Sequence, residues 1–387
     1  MATITPKPGS PPASPAPKSH PGAGEPAGSV GTPRAQLNAL TGLRGLAAWF
    51  VVFYHIRLSL TDLLPTGVID VFARGYLAVD FFFLLSGFVM WLNYGERFAQ
   101  DGARQALPFL WKRFARVWPL HALMLSGFVV FVALLAATGR PIEGYPLHEL
   151  PLHVLLMQNW GLTSELTWNH PAWSISTEFA AYLLFPVLVM AVPWQRLGPA
   201  VLLAVLLALL GGLGAVFATM DETSLGADIA RTGLLRCVLE FAAGLVLARL
   251  WQSAERIAVG PPLWALGGLG LALAGIALGL PETLFVPASF AAILMACALD
   301  TGPLARALSA PIMLWIGETS YATYLMHFFA FILFKIAFVG PDLQVGWMGL
   351  IGFCLAVQAG AAILYVGFEK PAQRWLNSRQ PRAPRVA

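Results

Sequence analysis

Two ionisable residues, Arg44 and His55, lie in one long apolar segment near the start of the chain, LTGLRGLAAWFVVFYHI. An α-helix returns to within about 20° of the same face after eleven residues and rises about 16 Å over that distance. This rise is roughly half the thickness of the hydrocarbon core of a membrane. Ionisable side chains at such depth are costly and usually have a function. The pair therefore predicts a reaction or a passage inside the bilayer, with Arg44 near one surface and His55 in the interior.

Two later apolar segments carry further polar side chains. NHPAWSISTEFAAYLLFP has Trp173 and Glu178 in its first turns, and a carboxylate there needs a cationic or hydrogen-bonding partner. GETSYATYLMHFF places Tyr324 and His327 three residues apart, on one side of a helix. With His55 at a similar depth, this pattern predicts a polar cavity inside a helix bundle. Trp173 fits either a substrate contact or an anchor at the membrane interface.

For other polar positions a structural role is as plausible as a chemical one, or more so. Asp80 is expected near the external end of its segment, half solvated, where a structural and a catalytic role are both open. Ser86 and Gly87 are small residues that let helices approach closely, and for Ser86 this interpretation competes with a role as a nucleophile. Arg236 and Glu240 are four residues apart, a spacing that predicts mutual neutralisation on one helix.

The stretch LPFLWKRFARVWPLH contains a pair of arginines, Arg113 and Arg116. They are three residues apart, on one side of a helical turn, and guanidinium groups suit phosphate oxygens. The pair could bind a pyrophosphate. The alternative is anchoring to membrane lipid headgroups. We expect Pro119 to begin the apolar helix that follows.

The composition indicates what must position these residues. Of the 387 residues, 57% are hydrophobic and only 11% are charged, whereas soluble domains have about 25% charged residues. The sequence therefore predicts an all-α fold, a polytopic transmembrane bundle of about ten spans. The predicted spans are 38–60, 76–95, 119–138, 172–192, 199–219, 231–251, 262–280, 283–299, 311–338 and 346–367.

Charge placement predicts the orientation of the bundle. Most of the 24 Lys and Arg residues fall on one side of the predicted spans, which makes that side and both termini cytoplasmic. This placement accounts for the net charge of +4, so it does not indicate a nucleic-acid partner. We expect a disordered Pro- and Ala-rich tail at residues 1–35, a membrane domain at 36–371 and a basic cytoplasmic tail at 372–387.

The sequence predicts no metal site. The three cysteines fall in predicted spans and are expected to be buried apolar side chains. The predicted external loop 139–171 contains His148, His153 and His170, which we expect at the surface and without the close spacing of metal ligands.

Taken together, these segments resemble the bacterial membrane acyltransferase-3 family, whose members O-acylate cell-surface carbohydrates and some small molecules. Five motifs match in order between residues 38 and 371. They are Arg44 and His55 with ten residues between them; Arg113 and Arg116; the Gly75–Phe88 block around Asp80; Trp173 with Glu178; and Tyr324 with His327.

The resemblance implies a donor and its site. The donor would be acetyl-CoA or a similar acyl-CoA, supplied from the cytoplasm to a multi-pass enzyme of the bacterial inner membrane. Arg113 and Arg116, with Arg44, would bind its phosphates. The acceptor would be a hydroxyl of a carbohydrate or glycolipid, contacted by Trp173, Tyr324 and Ser86.

The resemblance also implies catalytic roles. A neutral imidazole of His55 would remove the proton of the acceptor hydroxyl, with His327 beside it and with Glu178 or Asp80 stabilising the imidazolium. Direct transfer and transfer through an acyl-histidine are both open. The rival interpretations are a secondary transporter or flippase that uses buried His, Glu and Arg, and acylation of a small metabolite.

Overall fold

The computed structural model describes residues 34–253, 259–340 and 344–380. Within these residues the regular structure is entirely helical, which confirms the predicted all-α class. The α-helices are α1 Arg34–Ile56, α2 Thr66–Ala73, α3 Ala78–Asp101, α4 Ala106–Ala137, α5 Leu150–Val154, α6 Ala172–Ala191, α7 Pro199–Thr219, α8 Ile229–Gln252, α9 Pro261–Ala277, α10 Glu282–Leu299, α11 Pro303–Leu308, α12 Pro311–Phe338, α13 Trp347–Leu364 and α14 Lys370–Ser378.

Each of the ten predicted apolar segments overlaps one of these helices. Seven helical stretches in the described part of the chain are long and apolar enough to cross a membrane, and one of them, Thr66–Ala137, contains both α3 and α4. The helix α9 is apolar but shorter, and α8 is not among the seven. The chain is therefore a polytopic membrane protein, while the count of ten spans and the side of the termini stay predictions.

The two main helix crossings depend on glycine. Helix α3 packs along α8, and α1 packs along α12. A Cβ atom on Gly87 would collide with the backbone carbonyl of Phe241, and one on Gly244 would collide with that of Leu84. Gly317 of α12 meets the backbone of Thr41 of α1 in the same way. Close backbone contact at small residues is the usual way in which helices associate in membranes.

The helix α4 begins earlier than expected. It starts at Ala106, and Pro119, expected at its start, lies inside it. A proline removes one backbone hydrogen bond, here the one to the carbonyl of Ala115, and the strongly helix-forming residues on both sides carry the helix through. As a result, Arg113 and Arg116 lie on α4 itself rather than in a loop before it.

Two ends of the bundle matter for the site. We call the end that carries Arg44, Arg113 and Arg116 the Arg-rich end, and the end that carries residues 139–171 the loop end. The predicted N-terminal tail lies outside the described residues except for its last two positions, which begin α1. Of the predicted C-terminal tail, residues 372–378 belong to α14, and 381–387 lie outside the described residues.

Candidate active site

Among the described residues, two cavities of the bundle bear on the candidate site. The Arg-rich cavity has a volume of about 290 Å³ and is lined by the three arginines of that end. The loop-end cavity has a volume of about 430 Å³ and is lined by His55. Val79 and Tyr324 line both cavities. Arg44 and His55 thus both face the interior, but they belong to different cavities.

The close crossing of α1 and α12 positions Arg44. Its Nη2 donates a hydrogen bond of 2.7 Å to the backbone carbonyl of Gly317, and its Nε donates to the same oxygen at 3.3 Å. Because this acceptor is a neutral carbonyl, the charge of Arg44 has no counterion in that contact. Its guanidinium therefore stays able to attract an anion in the cavity.

Arg113 is held mainly by aromatic rings. Its Nη2 donates to the Tyr94 hydroxyl at 3.3 Å, and its guanidinium carbon lies 5.5 Å and 5.9 Å from the ring centres of Tyr94 and Tyr182. Its Nε is buried and has no hydrogen-bond partner among the described residues. A buried donor without a partner is uncommon in proteins.

Arg116 forms an ion pair with Glu369, a carboxylate that belongs to none of the five sequence motifs. A short π-helical turn, Tyr365–Glu369, lies between α13 and α14 and places Glu369 inside the bundle, 2% exposed. Turns of this kind are frequent at functional sites. Because Glu369 neutralises Arg116, the unpaired positive charge of the cavity lies on Arg44 and Arg113.

Glu178 also lines the Arg-rich cavity. Its Oε1 accepts hydrogen bonds from the Ser86 hydroxyl at 2.6 Å and from the Tyr182 hydroxyl at 2.5 Å. The expected partner of the carboxylate is therefore a pair of hydroxyl groups. Glu178 lines a different cavity from His55, and its role in stabilising the imidazolium stays a prediction.

His55 lines the loop-end cavity, and His327 packs against it although His327 does not itself line the cavity. Their ring centres are 5.1 Å apart, and Phe328 packs against the His55 ring at 5.2 Å. His170, expected only at the surface of the loop, also lines this cavity and stacks on Phe328 at 4.9 Å. Three imidazoles therefore meet at one place in the bundle.

Hydrogen bonds fix the tautomer of His327. Its Nδ1 lies 2.6 Å from the carbonyl oxygen of Tyr324 and 3.2 Å from that of Thr323. A carbonyl can only accept, so Nδ1 carries the hydrogen and donates it. Nε2 is buried and has no hydrogen-bond partner among the described residues. The ring therefore keeps a free lone pair that can accept a proton.

Asp80 does not have the predicted surroundings. It is fully buried rather than half solvated, and its two oxygens accept hydrogen bonds from Nε and Nη2 of Arg236 at 2.5 and 2.6 Å. The expected pairing of Arg236 with Glu240 is wrong, because Asp80 of α3 presents both oxygens to the guanidinium. Glu240 is fully buried beside Asp80 and interacts with both Asp80 and Arg236.

The first turn of α6 contributes to both cavities. Trp173 lines the loop-end cavity and Ser174 the Arg-rich cavity. The Trp173 ring lies 5.5 Å from the guanidinium of Arg236 and is 7% exposed, so an interfacial anchor is the wrong interpretation. The Ser174 hydroxyl lies 2.7 Å from that of Tyr324, which also donates to the Pro171 carbonyl at 3.1 Å.

A buried histidine, His153, helps to hold the loop before α6 in place. His153 was expected at the surface but is 2% exposed. Its Nε2 lies 3.0 Å from the Thr167 hydroxyl, which donates to Glu149 at 2.7 Å. Burial lowers the pKa of the His153 imidazole from its ordinary 6.5 to about 3, and His121 adds to the shift. In the described part of the chain, no three His, Cys, Asp or Glu side chains are grouped to hold a metal ion.

Comparison with known proteins places this geometry in context. A family model described as "Acyltransferase domain" (Acyl_transf_3) matches residues 37–366. Acyltransferase MdmB of Streptomyces mycarofaciens is 29% identical over 381 residues, covering 90% of this chain and 94% of the relative. Exopolysaccharide production protein ExoZ of Rhizobium meliloti (strain 1021) is 28% identical over 334 residues, covering 81% and 94%. No solved structure matches the chain.

Proposed function

The chain belongs to the acyltransferase-3 family and is a membrane O-acyltransferase. We propose that its two cavities bind two different substrates. An acyl-CoA, with acetyl-CoA as the first donor to test, binds in the Arg-rich cavity. A hydroxyl of a carbohydrate or glycolipid enters the loop-end cavity. The name of the relative ExoZ, an exopolysaccharide production protein, favours a polysaccharide acceptor.

The observation that carries the proposal is the separation of charge types between the cavities. Arg44, Arg113 and Arg116 line one cavity, and His55 and His170 line the other, where the guanidinium of Arg236 is already paired with Asp80. Val79 and Tyr324 line both cavities. Phosphates suit the first set and proton transfer from a hydroxyl suits the second. The two reactants of an acyl transfer therefore have separate binding places that adjoin inside the bundle.

On the donor side, Arg44 and Arg113 carry the charges that no carboxylate neutralises directly, and they bind the phosphates of CoA. Arg116, already paired with Glu369, positions that site. Ser86 holds Glu178 and lines the wall along which the acyl-bearing arm lies.

On the acceptor side, His55 removes the proton of the hydroxyl while the hydroxyl oxygen attacks the thioester carbonyl. A carbon–oxygen bond forms, the carbon–sulfur bond breaks, and the CoA thiolate leaves and takes up a proton. His327, with its free Nε2, lies beside His55. Asp80 holds Arg236, which lies against Trp173.

We further propose that the enzyme lies in the bacterial cytoplasmic membrane with the Arg-rich end in the cytoplasm. The positive charges gathered at that end support this orientation, and acyl-CoA is a cytoplasmic compound. The loop end then faces the outside, where a surface carbohydrate is available as acceptor.

The test is acyl transfer by inverted membrane vesicles given labelled acetyl-CoA. Wild-type vesicles should release CoA thiol and transfer the label to base-labile esters. His55→Ala should lower both by about 10²-fold or more at equal protein level, since general-base catalysis contributes about that factor. His148→Ala, at an exposed histidine of the loop, is the matched control and should be fully active. An active His55→Ala enzyme, or proton transport without thiol release, would overturn the proposal.

A further inference from the structure

The wall between the two cavities is one side chain thick. Val79 and Tyr324 each line both cavities, and the adjacent residues Trp173 and Ser174 line opposite ones. No other element can therefore lie between the cavities at this point. We call these three residues, Val79, Ser174 and Tyr324, the partition.

Tyr324 is fastened in the partition at its polar end. Its hydroxyl lies 2.7 Å from the Ser174 hydroxyl and donates to the Pro171 carbonyl at 3.1 Å. Phe82, a residue of the Arg-rich cavity, packs edge-on against the Tyr324 ring at 5.9 Å. The ring can leave its place only if these hydrogen bonds break, so the closed state is favoured in the absence of a ligand.

The partition also adjoins the reacting groups. The ring of Tyr324 lies 5.9 Å from that of His327, and its carbonyl accepts the Nδ1 hydrogen that sets the tautomer of His327. A donor bound at Arg44 and Arg113 must pass this point for its thioester to reach His55. A closed partition prevents hydrolysis of the thioester and proton leakage between the two cavities.

We propose that the acyl-bearing arm of the donor crosses between Val79 and Tyr324, and that the Tyr324 hydroxyl closes this passage when no donor occupies it. The inference rests on the proposed function. The crossing itself changes no covalent bond. Tyr324 is a positioning residue in this scheme, because it controls access to the imidazoles and does not take part in acyl transfer.

The first test narrows the passage with Val79→Phe. The added ring extends into space that the cavities provide, so the protein should fold. Binding of acetyl-CoA to the purified protein should stay within about twofold of wild type, whereas acyl transfer should fall by about 10²-fold, the usual loss when a reacting group is misplaced by about 1 Å. Val52→Phe is the matched control for overpacking, because Val52 is equally buried and lines neither cavity.

The second test loosens the partition with Tyr324→Phe, which keeps the ring and removes the hydroxyl. Release of CoA thiol without acceptor should rise severalfold over wild type, because water reaches the thioester through the loosened partition. A structural role alone would lower all rates and the protein yield together. Should Val79→Phe fail to reach the yield of its control, Tyr324→Phe decides, and unchanged acceptor-free thiol release would overturn the proposal.

Two further outcomes distinguish a failure of the proposed passage from a failure of the proposed function. A folded Val79→Phe protein that transfers acyl groups at the wild-type rate, or that loses transfer and donor binding in equal proportion, would overturn the passage but not the enzyme. A wild-type protein that neither binds acetyl-CoA nor releases thiol would instead overturn the proposed function.

Discussion

At the scale of single residues, two of the buried polar atoms without a partner lie at the candidate site. Arg113 Nε and His327 Nε2 are buried donors or acceptors without a hydrogen-bond partner among the described residues. Most buried polar atoms in folded proteins are paired, so a ligand is the natural partner for both. Arg113 lines the Arg-rich cavity, whereas His327 lies against His55, which lines the loop-end cavity.

Arg113→Ala should weaken donor binding more than catalysis. A hydrogen bond to a charged group contributes about 1.5–3 kcal/mol, so KM for acetyl-CoA should rise about 10- to 100-fold with kcat little changed. Arg97→Ala is a matched control, because the Arg97 guanidinium lies at the same 5.5 Å from the Tyr94 ring but outside the cavity. Steady-state kinetics on both variants checks this, and an unchanged KM in Arg113→Ala would remove Arg113 from the donor site.

The residues of the site could be predicted in part. Arg44, His55 and His327 face the interior because costly polar groups in apolar helices seldom face lipid. The partners of Asp80 and Arg116 were missed, since both contacts join helices far apart in the sequence. Spacing along one helix suggested Glu240 for Arg236, and nothing in the sequence marks Glu369 as the counterion of Arg116.

At the scale of helices, glycine contacts set the distances between the elements that carry the site. The crossing of α3 and α8 brings Asp80 to Arg236, and the crossing of α1 and α12 brings Arg44 to the Gly317 carbonyl. Hydropathy alone predicted the ten apolar segments and their order, but not the short helices α2, α5, α11 and α14. Nor did it predict the start of α4, because a proline inside a long helix and one at its start look alike in the sequence.

Gly87→Ala should destabilise the bundle. The new methyl group would meet the carbonyl of Phe241, and overpacking of this kind costs about 1–3 kcal/mol. Gly211→Ala is the matched control, since nothing lies within 4 Å of a Cβ atom at Gly211 of α7. Thermal unfolding in detergent should show a lower midpoint than wild type for Gly87→Ala and an unchanged midpoint for the control. Equal midpoints would mean that the two helices are not in such close contact.

Docking of the loop 139–171 should weaken in acid. Below pH 6.5 the undocked loop binds a proton on His153, whereas the docked loop does so only near pH 3. Docking therefore becomes more favourable as the pH rises from about 3 to 6.5, by at most about 1.4 kcal/mol per pH unit. Above pH 6.5 the contribution of His153 to docking is constant.

Hydrogen exchange of this loop at pH 5 and 7.5, corrected for the intrinsic effect of pH on exchange, measures the change. Protection should be lower at pH 5 in wild type and in His148→Gln. It should depend less on pH in His153→Gln, where His170 remains as a loop histidine whose pKa burial lowers. Equal protection of the wild-type loop at both pH values would contradict the buried state of His153.

At the scale of the whole molecule, two cavities that adjoin at one layer of side chains make the bundle suited to a reaction between substrates on opposite faces of a membrane. This arrangement was not predictable from the sequence. Helical periodicity placed Arg44 and His55 on one stripe of α1, but only the packing of α3, α6 and α12 divides that stripe between two cavities.

The most direct test is the sidedness of donor use in sealed vesicles. Acetyl-CoA does not cross membranes, so its consumption reports which face carries the Arg-rich cavity. Inverted vesicles, with their cytoplasmic face outward, should release CoA thiol from added acetyl-CoA. Right-side-out vesicles from the same cells should release it only after they are permeabilised. Equal release by intact right-side-out vesicles, or release by those vesicles alone, would contradict the assignment of the two cavities.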